Sequence, residues 1–184
     1  MKKYLLIIGI IVILSGLLLG EGKIIIAASG NLLMPADANY KDIYGGSVFF
    51  PEFKLGYRMF NNGYLWASVG FFSKEGETIK LGLSADSSQT LISFGGGYTF
   101  HLSEKAGFNA ELGLVSFSYK EEALDLEVSD SAIGFVVNGI LIYKLSDKFF
   151  LQAIIGYASA ADTVDDTEIK LGGFKSGIGL GVTL

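Results

Sequence analysis

The chain has no cysteine, one histidine and two prolines in 184 residues, and each shortage closes off a class of chemistry. Without cysteine there is no disulfide framework, no thiolate metal site and no acylated N-terminal cysteine to act as an anchor. The lone His101 cannot supply the several nitrogen or sulfur ligands a zinc site needs. Basic residues are also outnumbered, 14 against 19 acidic ones, and a net charge of −5 argues against a nucleic-acid partner. With prolines only at positions 35 and 51, long uninterrupted elements are allowed.

What is present is half hydrophobic and rich in glycine, 25 residues, which suits closely packed strands better than helices. Met1-Lys2-Lys3 leads an apolar run from Leu5 to Leu19, followed by Gly20-Glu21-Gly22 with small residues at the two positions a signal peptidase checks. Residues 1–22 are therefore expected to be a cleavable signal peptide helix. A retained anchor is the rival, but a run of 15 residues falls short of the roughly 20 that span a bilayer as a helix. Removing Lys2, Lys3 and Glu21 gives the remaining domain, residues 23–184, a net charge of −6.

Within that domain three tight polar turns, Phe60-Asn61-Asn62-Gly63, Ser103-Glu104-Lys105 and Ser146-Asp147-Lys148, recur about every 43 residues and alternate with four longer, mostly acidic segments. Between them side chains alternate with period two, most clearly from Thr90 to Leu102. Strands are expected near 23–33, 46–60, 64–74, 89–102, 106–120, 131–145, 149–159 and 172–184. Their length and their short and long connections on opposite rims predict an all-β fold, an eight-stranded antiparallel up-and-down transmembrane β-barrel.

The two faces decide between lipid and water outside. Phe53, Leu55, Val69, Phe71, Leu112, Phe135, Leu141, Leu151, Ile155, Ile178 and Leu180 share the outward parity; Glu52, Lys54, Arg58, Glu111, Lys144 and Lys175 point inward with Asn109, Asn138 and Gln152. A soluble lipid-carrying barrel would have the reverse. Unpaired charges inside would be costly, so the six inward charges are expected to form a lumen charge network. From Val115 to Tyr119 the pattern breaks, with Ser116 and Ser118 on the lipid side; a bulge and the upper membrane boundary are the two accounts. Aromatics near strand ends, among them Phe60, Tyr64, Phe100, Tyr143, Phe150, Tyr44, Phe72 and Tyr119, suit interfacial girdles.

Charge is sorted between the rims. The long connections hold 14 acidic residues against five lysines, a net of −9, leaving about +3 for strands and tight turns. Solvated acidic loops account for this. Asp162, Asp165, Asp166 and Glu168 are the weak candidates for a hard divalent cation bridging to anionic lipid headgroups, although their spacing departs from the twelve-residue calcium loop. Two connections, 78–84 and 124–128, still alternate and would let strands project beyond the membrane as edges for protein contact.

The lysine-led signal, eight amphipathic strands, the pairs Gly56-Tyr57, Gly97-Tyr98 and Gly156-Tyr157, and the ending Gly179-Leu180-Gly181-Val182-Thr183-Leu184 resemble the small bacterial outer-membrane β-barrel family. The resemblance covers residues 23–184. It implies an outer-membrane monomer whose terminal strand is read by the barrel-assembly machinery, with Val182 and Leu184 matching the signal and the usual terminal aromatic missing. It further implies a role in the envelope, in contacts outside the cell with lipid or lipopolysaccharide around it, or in passing small apolar molecules sideways into the membrane. Eight strands leave an interior about filled by side chains, which argues against a general aqueous pore. No enzyme is expected: His101 lies beside an inner-rim turn, away from the serines of the long loops. Nor is a cofactor implied. The alternative from another class is a secreted soluble β-barrel binding a lipid-like ligand.

Overall fold

In the computed structural model, which describes residues 24–78, 83–123, 126–164 and 167–184, eight antiparallel strands close into a barrel, each bonded to the next and the last to the first. They are β1 (Ile24–Pro35), β2 (Val48–Arg58), β3 (Gly63–Glu77), β4 (Ser84–His101), β5 (Ala106–Ala123), β6 (Leu126–Lys144), β7 (Phe149–Val164) and β8 (Thr167–Thr183). The expected signal peptide lies outside the described residues.

All three tight turns close as the sequence suggests. In two of them the same device recurs: Ser103 Oγ accepts from Ala106 N at 3.0 Å and Ser146 Oγ accepts from Phe149 N at 3.1 Å. On the opposite rim the strands run further than expected. β3 and β4 stay paired to Glu77↔Ser84, β5 and β6 to Ala123↔Leu126, and β7 and β8 to Val164↔Thr167. The β7–β8 extension corrects the long loop expected there, and its signal was the alternation of Ile169 and Leu171 with Glu168 and Lys170.

A second correction is a helix, α1 (Ala38–Tyr44), inside the first long connection. Asp37 caps it, Oδ1 accepting from Tyr40 N at 3.0 Å, and Gly45 ends it at φ 91°, where its N–H bonds Lys41 O at 2.9 Å. Seven residues are too few for a helix to be stable alone, so docking holds it: Tyr40 and Tyr44 are buried in the barrel mouth.

The outward apolar residues named above are all on the outer surface, several about half exposed, as in Phe53, Phe71 and Leu141. Water would penalise such a band; lipid does not, so this is a membrane-spanning barrel. Above the band the outward positions turn to serine, at Ser73, Ser88, Ser116, Ser118, Ser131 and Ser159. Through this height the β4–β5 and β5–β6 registers run without a skipped residue, Ile92↔Ser116↔Ile133 and Thr90↔Ser118↔Ser131. The break at Val115–Tyr119 is therefore the upper membrane boundary, with no bulge.

That parity turns Val115, Phe117 and Tyr119 inward, where they join Leu33, Phe50, Phe72, Leu91, Val136, Ala158 and Leu171 in an apolar core. The barrel interior thus has two floors: a polar one nearer the tight turns and an apolar one beneath α1. Several aromatics expected in girdles belong instead to the interior, since Tyr44, Tyr64, Phe72, Tyr119 and Phe150 are buried while Phe60, Phe100 and Tyr143 face outward. Proximity to a strand end carries no information about parity, and parity decides.

Candidate functional site

On the polar floor, strands β2, β5 and β8 bring four charges together. Lys175 Nζ lies 3.0 Å from Glu52 Oε2, and Lys54 Nζ lies 2.7 Å from Glu111 Oε2. Neutral donors complete both carboxylates. Glu52 accepts from Ser68 Oγ at 2.8 Å and Asn31 Nδ2 at 3.2 Å; Glu111 accepts from the Tyr64 hydroxyl at 2.8 Å and Asn138 Nδ2 at 2.9 Å. Lys54 also sits 5.1 Å over the Trp66 ring, whose Nε1 donates to Gly96 O at 3.1 Å. Gly97 is required because a Cβ there would overlap the Tyr64 ring. Two positive charges thus meet two negative ones, and the cluster bridges six of the eight strands.

Arg58 and Lys144 stand apart from this cluster. Both line a cavity of about 80 Å³ at the tight-turn end with Thr99, His101 and Asn109, and among the described residues neither forms an ion pair. His101 Nε2 lies 3.2 Å from Asn62 Oδ1 on the same rim. Of the four acidic candidates for a cation, the two that are described are engaged with other partners. Asp162 Oδ2 accepts from the Tyr119 hydroxyl at 2.8 Å, Glu168 lies 4.0 Å from Lys170 Nζ, and Asp165 and Asp166 fall outside the described residues. No group of three or more metal-ligating side chains occurs among the described residues.

The apolar floor opens upward into a second cavity, of about 190 Å³, which sequence reasoning missed. Leu33, Ile43, Tyr44, Phe72 and Leu171 supply its apolar wall, and Tyr40, Gln89 and Glu121 a polar one, with Asp37, Asn39, Glu168 and Lys170 also lining it. Helix α1 forms the roof. Asp37 fastens that roof twice, capping the helix with Oδ1 and accepting Lys170 N from β8 with Oδ2 at 3.2 Å. Burial, and then the nearby Asp37, push the Glu121 carboxyl above the ordinary range. The signals were in the sequence: apolar Val115 and Phe117 on lumen parity, and an Asp three residues before Tyr40 with Gly45-Gly46 after.

Beside this cavity the wall has a seam. β2–β3 pairing stops at Glu52↔Gly70, although β2 continues to Val48 and β3 to Glu77. Pro51, next in line, has no N–H to offer. Inside the seam the Phe50 and Phe72 rings approach to 6.2 Å between centroids. A second unpaired stretch lies on the far side, where β6–β7 pairing stops at Phe135↔Ser159 and leaves the β6 edge from Leu126 to Gly134 without a partner among the described residues.

No protein-family model and no curated protein matches the chain. Solved structures do. The outer membrane protein OprG of Pseudomonas aeruginosa superposes with a TM-score of 0.69 at 13% identity, over 89% of this chain and 96% of that one. A major outer membrane protein of Thermus thermophilus gives 0.64 at 10%, over 90% and 100%. Ail, the attachment invasion locus protein of Yersinia pestis, in complex with the heparin analogue sucrose octasulfate, gives 0.56 at 15%, over 89% and 97%. Strand number, closure, outward apolar band and these likenesses together make the chain a barrel with the fold of the small bacterial outer-membrane β-barrel proteins.

Proposed function

We propose that this barrel admits small apolar molecules from the outer side into the cavity beneath α1 and releases them sideways into the outer leaflet through the β2–β3 seam. The observation that carries this is the apolar upper floor. A barrel serving only as a structural element has no need to line its outer half with Leu33, Phe50, Phe72 and Phe117 and then leave a cavity above them. Nor does an aqueous route fit, since Phe50 and Phe117 are completely enclosed and the Glu52–Lys175 and Lys54–Glu111 pairs fill the floor below. A guest that reaches the apolar floor is stopped downward by those charges and has the seam beside it.

Because the chain has no cysteine, one disulfide tests this cleanly. Pro51→Cys with Phe71→Cys places thiols across the seam at the next register position beyond Glu52↔Gly70. Cells carrying the oxidised double variant should take up a small apolar dye at the rate of cells lacking the protein, and a reductant should restore uptake. Equal uptake in oxidised and reduced cells would overturn lateral release.

A second reading is favoured by the β6 edge: the projecting β3–β6 sheet contacts partners outside the cell by adding a strand. α1 packs against the β3 side of that sheet at Gly76, leaving β6 as the open side. Glu127 and Asp130 on this edge suit a basic segment. A polyanion such as the heparin analogue bound to Ail does not suit the acidic rim of this chain. Monomeric insertion by the barrel-assembly machinery, with lipopolysaccharide around the acidic rim, completes the proposal. Backbone protection of Leu126–Gly134 by an added basic peptide would support the edge, and protection confined to other strands would exclude it.

A further inference from the structure

We infer that the cavity beneath α1 selects small apolar molecules that carry an amine at one end, an assignment that rests on the passage proposed above and names its substrate class. The apolar wall accounts for the body of such a molecule; the polar wall must account for the head. Tyr40, Gln89 and Glu121 gather on the barrel side of the cavity, with Asp37, Asn39, Glu168 and Lys170 also among its lining residues. Tyr40 is 9% exposed, and its hydroxyl, beside that of Ser87, makes no hydrogen bond of good geometry. Gln89 is 6% exposed and lines the same space. Glu121 reaches in from β5, and among the described residues no cation lies within ion-pair distance of its carboxylate. Next to Gln89 on the inward face of β4, Ser87 is fully enclosed with an unpartnered hydroxyl.

An ammonium group satisfies this set where other heads do not. It has three donors and no acceptor, and it would meet the Glu121 carboxylate, the Tyr40 hydroxyl oxygen and the Gln89 carbonyl oxygen. A carboxylate head would face Glu121 with like charge; of the other carboxylates at the cavity, Asp37 is already occupied by two backbone N–H groups and Glu168 lies 4.0 Å from Lys170 Nζ, the one cation that lines the cavity among the described residues. An alcohol could bond Tyr40 but would leave the Glu121 charge unpaired. The approach has the same sign. Asp130 and Asp162 stand on inward positions of β6 and β7 around the mouth, opposed on β3 by Lys74. Such a field concentrates cations and repels anions before they enter. The cavity volume, about 190 Å³, is that of a molecule of roughly ten heavy atoms or fewer.

The test uses the folded barrel in lipid nanodiscs with fluorine-labelled tyrosine, and hexylamine, hexanol and hexanoate as probes of equal chain length. The Tyr40 and Tyr44 resonances should shift with hexylamine at a concentration at least tenfold lower than with hexanol, and hexanoate should not saturate. In Glu121→Gln the amine preference over hexanol should fall below twofold, with the Tyr40 and Tyr44 resonances still shifting with hexanol. Equal shifts with all three probes in the unaltered protein would overturn the amine assignment and leave the passage proposal standing. No tyrosine shift with any probe would overturn both. Retained amine preference in Glu121→Gln would place the head elsewhere and also refute the assignment.

Discussion

Glu52 and Glu111 both lie almost completely enclosed on the polar floor, yet removing their charges should cost different amounts. At 2.7 Å the Lys54–Glu111 attraction is about 6 kcal/mol for an effective dielectric of about 20, a gain largely offset by taking both ions out of water. Glu111→Gln keeps an oxygen for Tyr64 and Asn138 and leaves Lys54 buried without its anion. Breaking such a pair costs about 3–5 kcal/mol. Lys54 also feels the field of Glu52, so the loss should fall at the lower end, about 3 kcal/mol. Glu52→Gln strips Lys175 of the one carboxylate it contacts, leaving Lys54 still paired with Glu111, and should cost about 4–5 kcal/mol. Adding Lys54→Met to Glu111→Gln removes the stranded cation while keeping its stem, and should recover most of the loss. Equilibrium unfolding by urea in lipid vesicles, followed by the fluorescence of the single tryptophan, Trp66, and by gel migration without boiling, would measure these three variants against the unaltered protein. A double variant as unstable as Glu111→Gln, or a Glu52→Gln no worse than Glu111→Gln, would refute the picture of an alternating Lys175–Glu52–Lys54–Glu111 chain.

Docking of α1 should weaken as pH rises. The docked helix holds the Glu121 carboxyl above its ordinary value, so the protonated form favours docking; that contribution is complete below about pH 4.5 and is lost as pH climbs through the raised value. Amide exchange at Gly45, corrected for its intrinsic pH dependence, should show more frequent opening at pH 8 than at pH 4.5, and Glu121→Gln should flatten the difference; Asp37, Tyr40, Tyr44 and Asp86 are the other titratable groups around it. Gly97→Ala should destabilise the barrel by about 1–3 kcal/mol by driving the Tyr64 hydroxyl away from Glu111, with a matching loss in urea midpoint. In planar bilayers Glu111→Gln alone should leave conductance at the background level, because Phe50 and Phe117 still close the upper floor; the same variant with Phe50→Ala and Phe117→Ala should conduct. A conducting single variant would show that the charges themselves are the barrier.

Strand number, order and face were legible in the sequence because lipid outside and polar lumen inside impose a strict period of two, and the serine-bearing turns punctuate it. The ends of the strands were less so. Beyond the bilayer neither face is forced to be apolar, so β7 and β8 could extend through Asp162, Thr163 and Glu168 while reading as a loop. α1 was hidden for a related reason: a seven-residue helix has almost no periodicity of its own, and the contacts that stabilise it come from β3, β1 and the barrel mouth, with β8 holding its cap Asp37. For the lumen charges, parity correctly turns Glu52, Lys54, Glu111 and Lys175 inward, but parity says nothing of height along the barrel axis. Arg58 and Lys144 share that parity and sit a full floor lower, near the tight turns, which only the register reveals.

The division into floors is also what lets the proposed passage work in a barrel too narrow for a pore. Along β5 the inward positions read Asn109, Glu111, Gly113, Val115, Phe117, Tyr119 and Glu121, polar, then apolar, then polar again. On β8 the same climb runs from Lys175 through Leu171 to Ile169, with Gly172 at φ 88° and Gly173 at φ 146° where β1 leaves its neighbour at Pro35. Those two glycines adopt backbone angles that side chains resist, and they let β8 bend away so that α1 can cross the mouth. Bilayer thickness fixes the outer band, whereas nothing about the membrane dictates an apolar inner floor: lipid never reaches those positions, and a polar network like the one below would seal the barrel as well. An apolar floor placed at the outer leaflet, roofed by a short helix held by one aspartate and flanked by a seam without ladder bonds, is what a transient guest of low polarity needs. On the proposed reading, the charged floor beneath it would direct that guest out through the wall.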